Sequence, residues 1–303
     1  MLLPPLRAKL FADFCEFGAE HLSSQDIDPV YPVLREFYRS LNWSNETALW
    51  FTTLYLAYYH LGSAIRAFDL HSAFVPNDDY HDIAFFPTAT ERRGLRGGKV
   101  QHFLDSYGAQ VAGVTSQAAF LRQGLLMGGR EGDELYNYEV FWDTIQYVWG
   151  NGRWAAFKWA EVLQQVHGFP LKAPDMRLQF CSGPKEGLEL LFGLHSASTG
   201  LLNQCAQVLR SDCSAAALPL SWEQLETVLC DFNSLQKGHY YVGHDIDQMQ
   251  EQLIRLESPL EQALYQARAV ALPKTYLGEQ HGWHGIDRAR RTIYQSTQQI
   301  VTR

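Results

Sequence analysis

The sequence predicts a mainly α fold, and three observations carry the prediction. Apolar residues recur at helical spacing through most of the 303 residues, as in Ala155, Trp159, Val162, Leu163 and Val166. No run of alternating apolar and polar residues persists long enough to build a sheet. Hydrophobic side chains make up 46% of the chain and charged ones 19%, enough apolar matter for a sizeable core and too little charge for a disordered bulk. The chain shows no internal repeat, low-complexity run or convincing linker, so it reads as a single domain over 1–303.

The elements follow in order. An opening helix runs to about Leu22, Pro29 and Pro32 bracket a turn, and 33–41 forms a short second helix. Ser44 or Asn45 can cap the next helix, with Glu46 in its first turn where the dipole favours a carboxylate. Residues 47–65 (TALWFTTLYLAYYHLGSAI) are uncharged and nearly long enough to span a bilayer. Thr52, Thr53, Tyr58, Tyr59, His60 and Ser63 punctuate them, and Arg66 and Asp69 follow. They therefore read as one long helix buried on all sides, and no membrane partner is expected. Residues 71–90 mix Pro, Asn, Asp and aromatics without a helical period, as a long irregular loop does, and such loops in compact domains are often functional.

Helices follow over about 98–108, 116–126 and 134–149. Trp149-Gly150-Asn151-Gly152-Arg153 then separates two helical patterns, giving a helix, a tight glycine hairpin and a helix over about 134–167. Beyond the turns in HGFPLKAPD and CSGPKEGLELLFG come helices at about 201–210 and 221–237. GHYYVGHDID leads into a helix with Ile246, Met249, Leu253 and Leu256 on one face. Another helix covers 259–271, and a last polar one follows Gly285.

Charge bounds the partners. Lys and Arg number 25 against 33 Asp and Glu, a net charge of -8, so no overall positive field draws the molecule onto a polyanion. Any nucleic-acid contact must come from a local patch. Aromatic residues make up 13% (8 Trp, 15 Tyr and 17 Phe), and such rings build cores and also stack on bases. The opening MLLPPLRAKLFADF lacks a secretory pattern, which makes a cytosolic protein the default. Cys15, Cys181, Cys205, Cys213 and Cys230 include no Cys-x-x-Cys pair and read as reduced core thiols rather than a disulfide framework or a zinc site.

Three constellations carry chemistry. In the hairpin, Gly150, Asn151 and Gly152 let the backbone turn tightly and offer amide N–H groups and a helix N-terminus to a phosphate, with Arg153 and Lys158 adding charge. A plain αα-turn is the bland alternative. Asp175 lies 23 residues beyond Gly152, directly after Pro174. This resembles the helix-hairpin-helix DNA glycosylase superfamily, in which a catalytic aspartate follows the hairpin at about that distance, although a solvated loop aspartate would look the same. The second constellation is Arg92, Arg93, Arg96 and Lys99, four cations within eight residues, spaced by glycines that let a backbone wrap a phosphate or pyrophosphate, with a solvated basic loop as the bland alternative. It is no P-loop, and neither Gly-x-Ser-x-Gly nor His-Glu-x-x-His occurs. The third is Gly238 to Asp247, where His239 and His244 with Asp245 and Asp247 can bind a metal or serve as acid and base, His244 and Asp245 above all, and Tyr240 and Tyr241 can wall a base pocket. Asp245 or Asp247 can equally be an N-cap. His281 and His284 have metal-pair spacing but no third ligand, so no metal site is assigned.

DIDPVYPVLREFY, ALWFTTLYLAYYHLGSAIRAFD, TATERRGLRGG and the YYVGHDID that follows SGPKEGLELL together resemble the phage amino acid:DNA transferases. These are also described as α-glutamyl/putrescinyl thymine pyrophosphorylases, a divergent branch of the glycosylase fold. The resemblance spans about Asp26 to Asp247. It implies a helix-hairpin-helix DNA glycosylase-like helical fold acting on double-stranded phage DNA in the cytoplasm of the infected bacterial host. There the pyrophosphate of 5-pyrophosphoryloxymethyl-uracil is replaced by a free amino acid or polyamine, giving hypermodified thymine.

On that resemblance Asp175, His244 and Asp245 are catalytic. Arg92, Arg93, Arg96, Lys99, Tyr59, His60 and Tyr241 bind the substrate, and Gly150, Asn151, Gly152, Arg153 and Lys158 hold the DNA. No cofactor is assigned from the sequence, and Mg2+ on the leaving group stays open. Asn151 and Arg153-Trp154 depart from an ordinary glycosylase hairpin, which puts base excision in doubt. A true DNA glycosylase and a non-catalytic DNA-binding protein stay open as alternatives.

Overall fold

The computed structural model describes residues 4–123, 132–253 and 256–277 and is mainly helical, with no strand among them. The expected polar helix after Gly285 and the His281/His284 pair lie outside these residues. In chain order the helices are α1 (Ala8–Ser23), α2 (Val30–Leu41), α3 (Asn45–Tyr58), α4 (Leu61–Leu70), α5 (Lys99–Ala112), α6 (Gln117–Leu121) and α7 (Glu134–Ile145). They continue as α8 (Arg153–His167), α9 (Gly183–Phe192), α10 (Thr199–Ala215), α11 (Trp222–Gln236), α12 (His244–Leu253) and α13 (Glu261–Ala271). Single 3-10 stretches occupy Thr90–Leu95 and Lys274–Tyr276. The chain divides into two compact units.

One unit comprises Val30–Lys172 and Met249–Ala271. Its centre is α3, where every residue from Ala48 to Tyr58 is buried and α4, α5, α6, α8 and the 90–95 turn pack around it. A helix buried on all faces must satisfy its hydroxyls inside the core. Thr53 Oγ1 donates to Leu49 O at 2.9 Å, Tyr58 donates to Ile83 O at 2.8 Å, and Thr52 Oγ1 meets Tyr38 at 2.9 Å and His167 at 2.8 Å. Ser44 caps α3 as expected, accepting from Thr47 N at 3.1 Å. Glu46 does more than face the dipole: its carboxylate accepts from Gln117 N at 3.1 Å and Ala118 N at 2.9 Å and so ties α6 to α3.

Two expectations are corrected here. The single helix over 47–65 is two, because Tyr59 turns left-handed at φ 48° and His60 caps α4, its Nδ1 accepting from Ser63 N at 3.1 Å. No glycine or proline marks the break, and a non-glycine residue in that conformation leaves no trace in hydrophobic periodicity. Pro32 lies inside the first turn of α2 rather than before the helix, at a depth where the missing N–H takes nothing from the helical ladder.

The other unit comprises Met1–Pro29, Ala173–Gln248 and Leu272–Arg303. α1 buries Phe14, Phe17, Gly18 and His21 as one stripe, with Phe14 edge-on to Phe232 of α11 at 5.3 Å. α9 lies against α11 at close range: a Cβ on Gly187 would fall 2.7 Å from Leu229 O, and one on Gly183 would fall 2.5 Å from Cys230 Sγ. Ser221 and Gln224 form a reciprocal capping box at the start of α11. All five cysteines carry free thiols. Among the described residues no helix is long and apolar enough to cross a membrane.

Candidate active site and glycine hairpin

The acid–base groups of the second unit collect around a carboxylate that sequence analysis left unassigned. Asp26 is fully buried in the turn after α1. It accepts from the Tyr240 hydroxyl at 2.7 Å, Gly243 N at 2.7 Å, Asp245 N at 3.1 Å and Ile246 N at 3.0 Å. Three of these donors are backbone N–H groups where α12 begins, so Asp26 caps that helix from the far end of the sequence. Asp245 and Asp247, each an N-cap candidate by sequence, lie inside the first turn instead. Asp245 Oδ1 meets His244 Nδ1 at 2.9 Å, with the two side chains 32% and 31% exposed. Asp247 accepts from the Tyr241 hydroxyl at 2.7 Å in a buried pair.

Burial sets the protonation of this cluster. Desolvation holds Asp26 above the usual carboxylate range, Asp245 adds repulsion, and the bonds from Tyr240, Ile246 and Gly243 pull partly back. Desolvation lowers His21 to about 4, against the pull of Asp245 and Asp28. The 3.6 Å approach of His21 Nε2 to Asp26 is therefore that of a neutral imidazole, not of an ion pair. His21 Nε2 lies 2.7 Å from Tyr240 Oη. Because Tyr240 gives its one proton to Asp26, its oxygen accepts from His21, which fixes the imidazole tautomer. A buried chain His21–Tyr240–Asp26 thus stands behind a partly exposed His244–Asp245 pair. The His244 ring is braced by Tyr240 at 5.0 Å and by the edge of Tyr241 at 5.3 Å. An imidazole oriented by a carboxylate and reachable from solvent is equipped to act as a general base.

Asp175 also belongs to this unit. Its side chain is 47% exposed, and Oδ1 accepts from Arg177 N at 2.7 Å, closing a local turn in which Arg177 adopts φ 49°.

The hairpin residues lie in the other unit. α7 and α8 pack on each other and are joined by a turn in which Gly150 adopts φ +87°. A Cβ there would fall 2.9 Å from Leu95 Cδ2. Arg92, expected on a basic loop, is 3% exposed and braces this turn from below. Its Nη1 donates to Gly150 O at 3.0 Å and its Nε to Ala57 O at 3.3 Å, with the guanidinium 5.1 Å from the Phe103 ring centre. Burial lowers its pKa to about 9. Asn151 also points inward and donates to Ile145 O at 3.2 Å.

Lys158, expected on a DNA surface, sits on the buried face of α8, where its ammonium pairs with Glu161 at 2.9 Å and Tyr31 donates to the same carboxylate at 3.3 Å. Arg93, Arg96 and Lys99 are exposed around Gly97 and Gly98. Arg153 is half-buried, with its guanidinium 4.8 Å from the Phe157 ring centre. Tyr59 and His60 form the bend between α3 and α4, and the Tyr59 ring meets Trp154 edge-on at 4.8 Å. Among the described residues, no group of three or more His, Cys, Asp or Glu is placed to hold a metal ion.

The sequence-predicted residues thus fall in two sets: cations and hairpin in one unit, acid–base groups in the other. Asp26 and His21 were missed, and Tyr240 was read only as a wall of a base pocket, because a buried polar partner far away in sequence has no local signature; Asp26 reads as an ordinary turn residue before Pro29. Comparison with known protein families matches residues 22–241 to the family described as Amino acid:DNA transferase. The match takes in Asp26, the 92–99 segment, the hairpin, Tyr240 and Tyr241, and ends just short of His244 and Asp245.

Proposed function

The chain belongs to the amino acid:DNA transferase family, and from that premise we propose that it replaces the pyrophosphate of 5-pyrophosphoryloxymethyl-uracil in phage DNA with an amine. The amine is a free amino acid such as glycine, or a polyamine, and the reaction runs in the cytoplasm of the infected bacterium. The observation that carries the chemistry is the His244–Asp245 pair, with Nδ1 and Oδ1 2.9 Å apart. An imidazole held through Nδ1 works through Nε2, which takes a proton from the incoming amine. The nitrogen lone pair then forms the new bond to the base's 5-methylene carbon as the C–O bond breaks, and that electron pair leaves with pyrophosphate. Exposed Arg93, Arg96 and Lys99 are the cations suited to the departing charge. Asp175, engaged in its own turn with Arg177, is not given the proton transfer.

Incubating the protein with DNA carrying the pyrophosphorylated base and a pool of amino acids and polyamines, then reading nucleoside masses and pyrophosphate release, tests this directly. An amine-sized mass gain with equal pyrophosphate release is expected. Abasic sites without any need for amine would instead make the protein a glycosylase.

Handling the base requires drawing it from the stack while the backbone is gripped, a task we give to the hairpin. Gly152 supports this. Its φ of -88° suits any residue, and a Cβ there would meet nothing within 4 Å, so the fold itself does not ask for glycine. As N-cap of α8 it supplies no side-chain acceptor, where serine would ordinarily serve at least as well. A phosphate close to the backbone would need both the space and the N–H groups. Gly152→Ser should therefore leave stability unchanged or raise it by a few tenths of a kcal/mol, while duplex affinity falls about tenfold at fixed salt. Fluorescence anisotropy beside thermal denaturation measures both, and unchanged affinity would remove the hairpin from DNA binding.

A further inference from the structure

Among the described residues of the hairpin-bearing unit, four large rings stand exposed: Tyr147, Phe85, Trp149 and Tyr136, at 73%, 63%, 47% and 36%. Two of these, Trp149 and Phe85, are held in place. The Trp149 ring meets His102 of α5 edge-on at 5.8 Å, and its backbone N–H donates to Ser106 Oγ, one turn further along α5, at 2.8 Å. Phe85 lies on the backbone of Gly98, where a Cβ would fall 2.9 Å from Phe85 Cζ. Gly98 directly precedes α5, so both rings are fixed along the same stretch of that helix. Residues 91–106, the start of α5 and the turn before it, carry exposed Arg93, Arg96 and Lys99 against two exposed carboxylates, Glu91 and Asp105, in a chain of net charge -8.

Exposing rings of this size to water is unfavourable, and posed aromatics among cations complement a polyanion whose own flat groups can be uncovered. A protein partner would be expected to want a wider apolar face with few cations. We propose that Trp149, seconded by Phe85, is a stacking surface for DNA bases at the step opened when the target base leaves the duplex, with Arg93, Arg96 and Lys99 neutralising the adjacent phosphate charge. The proposal rests on the reading of the protein as an enzyme acting on DNA, and it goes further in assigning the residues that meet unstacked bases.

The test is a duplex with 2-aminopurine next to the target position, whose fluorescence rises on unstacking, titrated with wild type, Trp149→Ala, Trp149→Phe and Phe85→Ala. Trp149→Ala should lose the fluorescence rise and bind about tenfold or more weakly, because base–aromatic stacking is lost. Trp149→Phe should keep most of both, and Phe85→Ala should show a smaller loss. The salt slope of binding should be unchanged in these variants, since no charge is removed, and should drop in Arg96→Gln. Running the duplex with and without the pyrophosphate group separates its contribution from that of the backbone phosphates.

A Trp149→Ala protein with wild-type affinity and fluorescence response would overturn the proposal. So would equal losses in Ala and Phe variants, which would mark the ring as a structural prop of the turn. The wild-type transfer assay stands apart: amine transfer with an indifferent Trp149→Ala sinks only the stacking assignment. Duplex binding and unstacking without transfer sinks only the proposed reaction.

Discussion

Asp26→Asn is expected to lower the stability of the protein by about 2–4 kcal/mol and to suppress transfer at temperatures where the variant is still folded. The wild-type carboxylate accepts from the Tyr240 hydroxyl and from the N–H groups of Gly243, Asp245 and Ile246. Asparagine presents an acceptor on one side only. Whichever way its amide turns, an NH2 faces donors that formerly met an oxygen. Tyr240 can adapt by rotating its hydroxyl toward Asp245 Oδ2, already 3.4 Å away, but a backbone N–H cannot. At least one donor is then buried without a partner, and the helix N-terminus loses the charge that Asp26 contributes beside those of Asp245 and Asp247. Tyr240→Phe is the natural comparison. It removes one of the four bonds and leaves the cap intact, so the loss should be nearer 1 kcal/mol. Denaturant unfolding of the two variants beside wild type settles the order, and a wild-type midpoint for Asp26→Asn would mean that Asp26 does not hold this segment.

That prediction marks where sequence stopped being informative. The helix capped by Ser44 was legible because its cap is a local property, and the helices now seen to be capped by Ser198 and Ser221 were legible from their apolar period alone. The cap of α12 was not, because its acceptor lies 217 or more residues away from the backbone groups it serves. Lys158 misled for a related reason: a lysine beside a glycine turn reads as surface, whereas its partner Glu161 makes it a buried pair. Arg92 looked like one of four equivalent cations and is instead the strut of Gly150, since only the packing of the 90–95 turn on α3 decides which guanidinium turns inward. His244 and Asp245 could be named as acid and base from residue type, while their mutual geometry came only with the structure.

The largest catalytic effect is expected at that pair. His244→Ala should reduce amine transfer by about 10²- to 10⁴-fold, the usual contribution of a positioned general base, while DNA affinity stays near wild type. Its side chain is 31% exposed, so truncation leaves no large buried hole. Exogenous imidazole in the assay should restore part of the rate, which a merely structural loss would not allow. Asp245→Asn separates orientation from charge. In the wild type Oδ1 accepts from Nδ1–H, which leaves the lone pair on Nε2 to receive the amine's proton. An asparagine amide donating to Nδ1 would put the proton on Nε2 and turn the base into a donor, the wrong tautomer for the step. The rate should then fall almost as far as in His244→Ala, with binding intact and no response to imidazole, because the ring still fills the site. Should Asp245→Asn keep its rate while His244→Ala loses it, the pairing is incidental and the base acts without its carboxylate. Should both keep their rates, proton transfer must be assigned elsewhere in the chain.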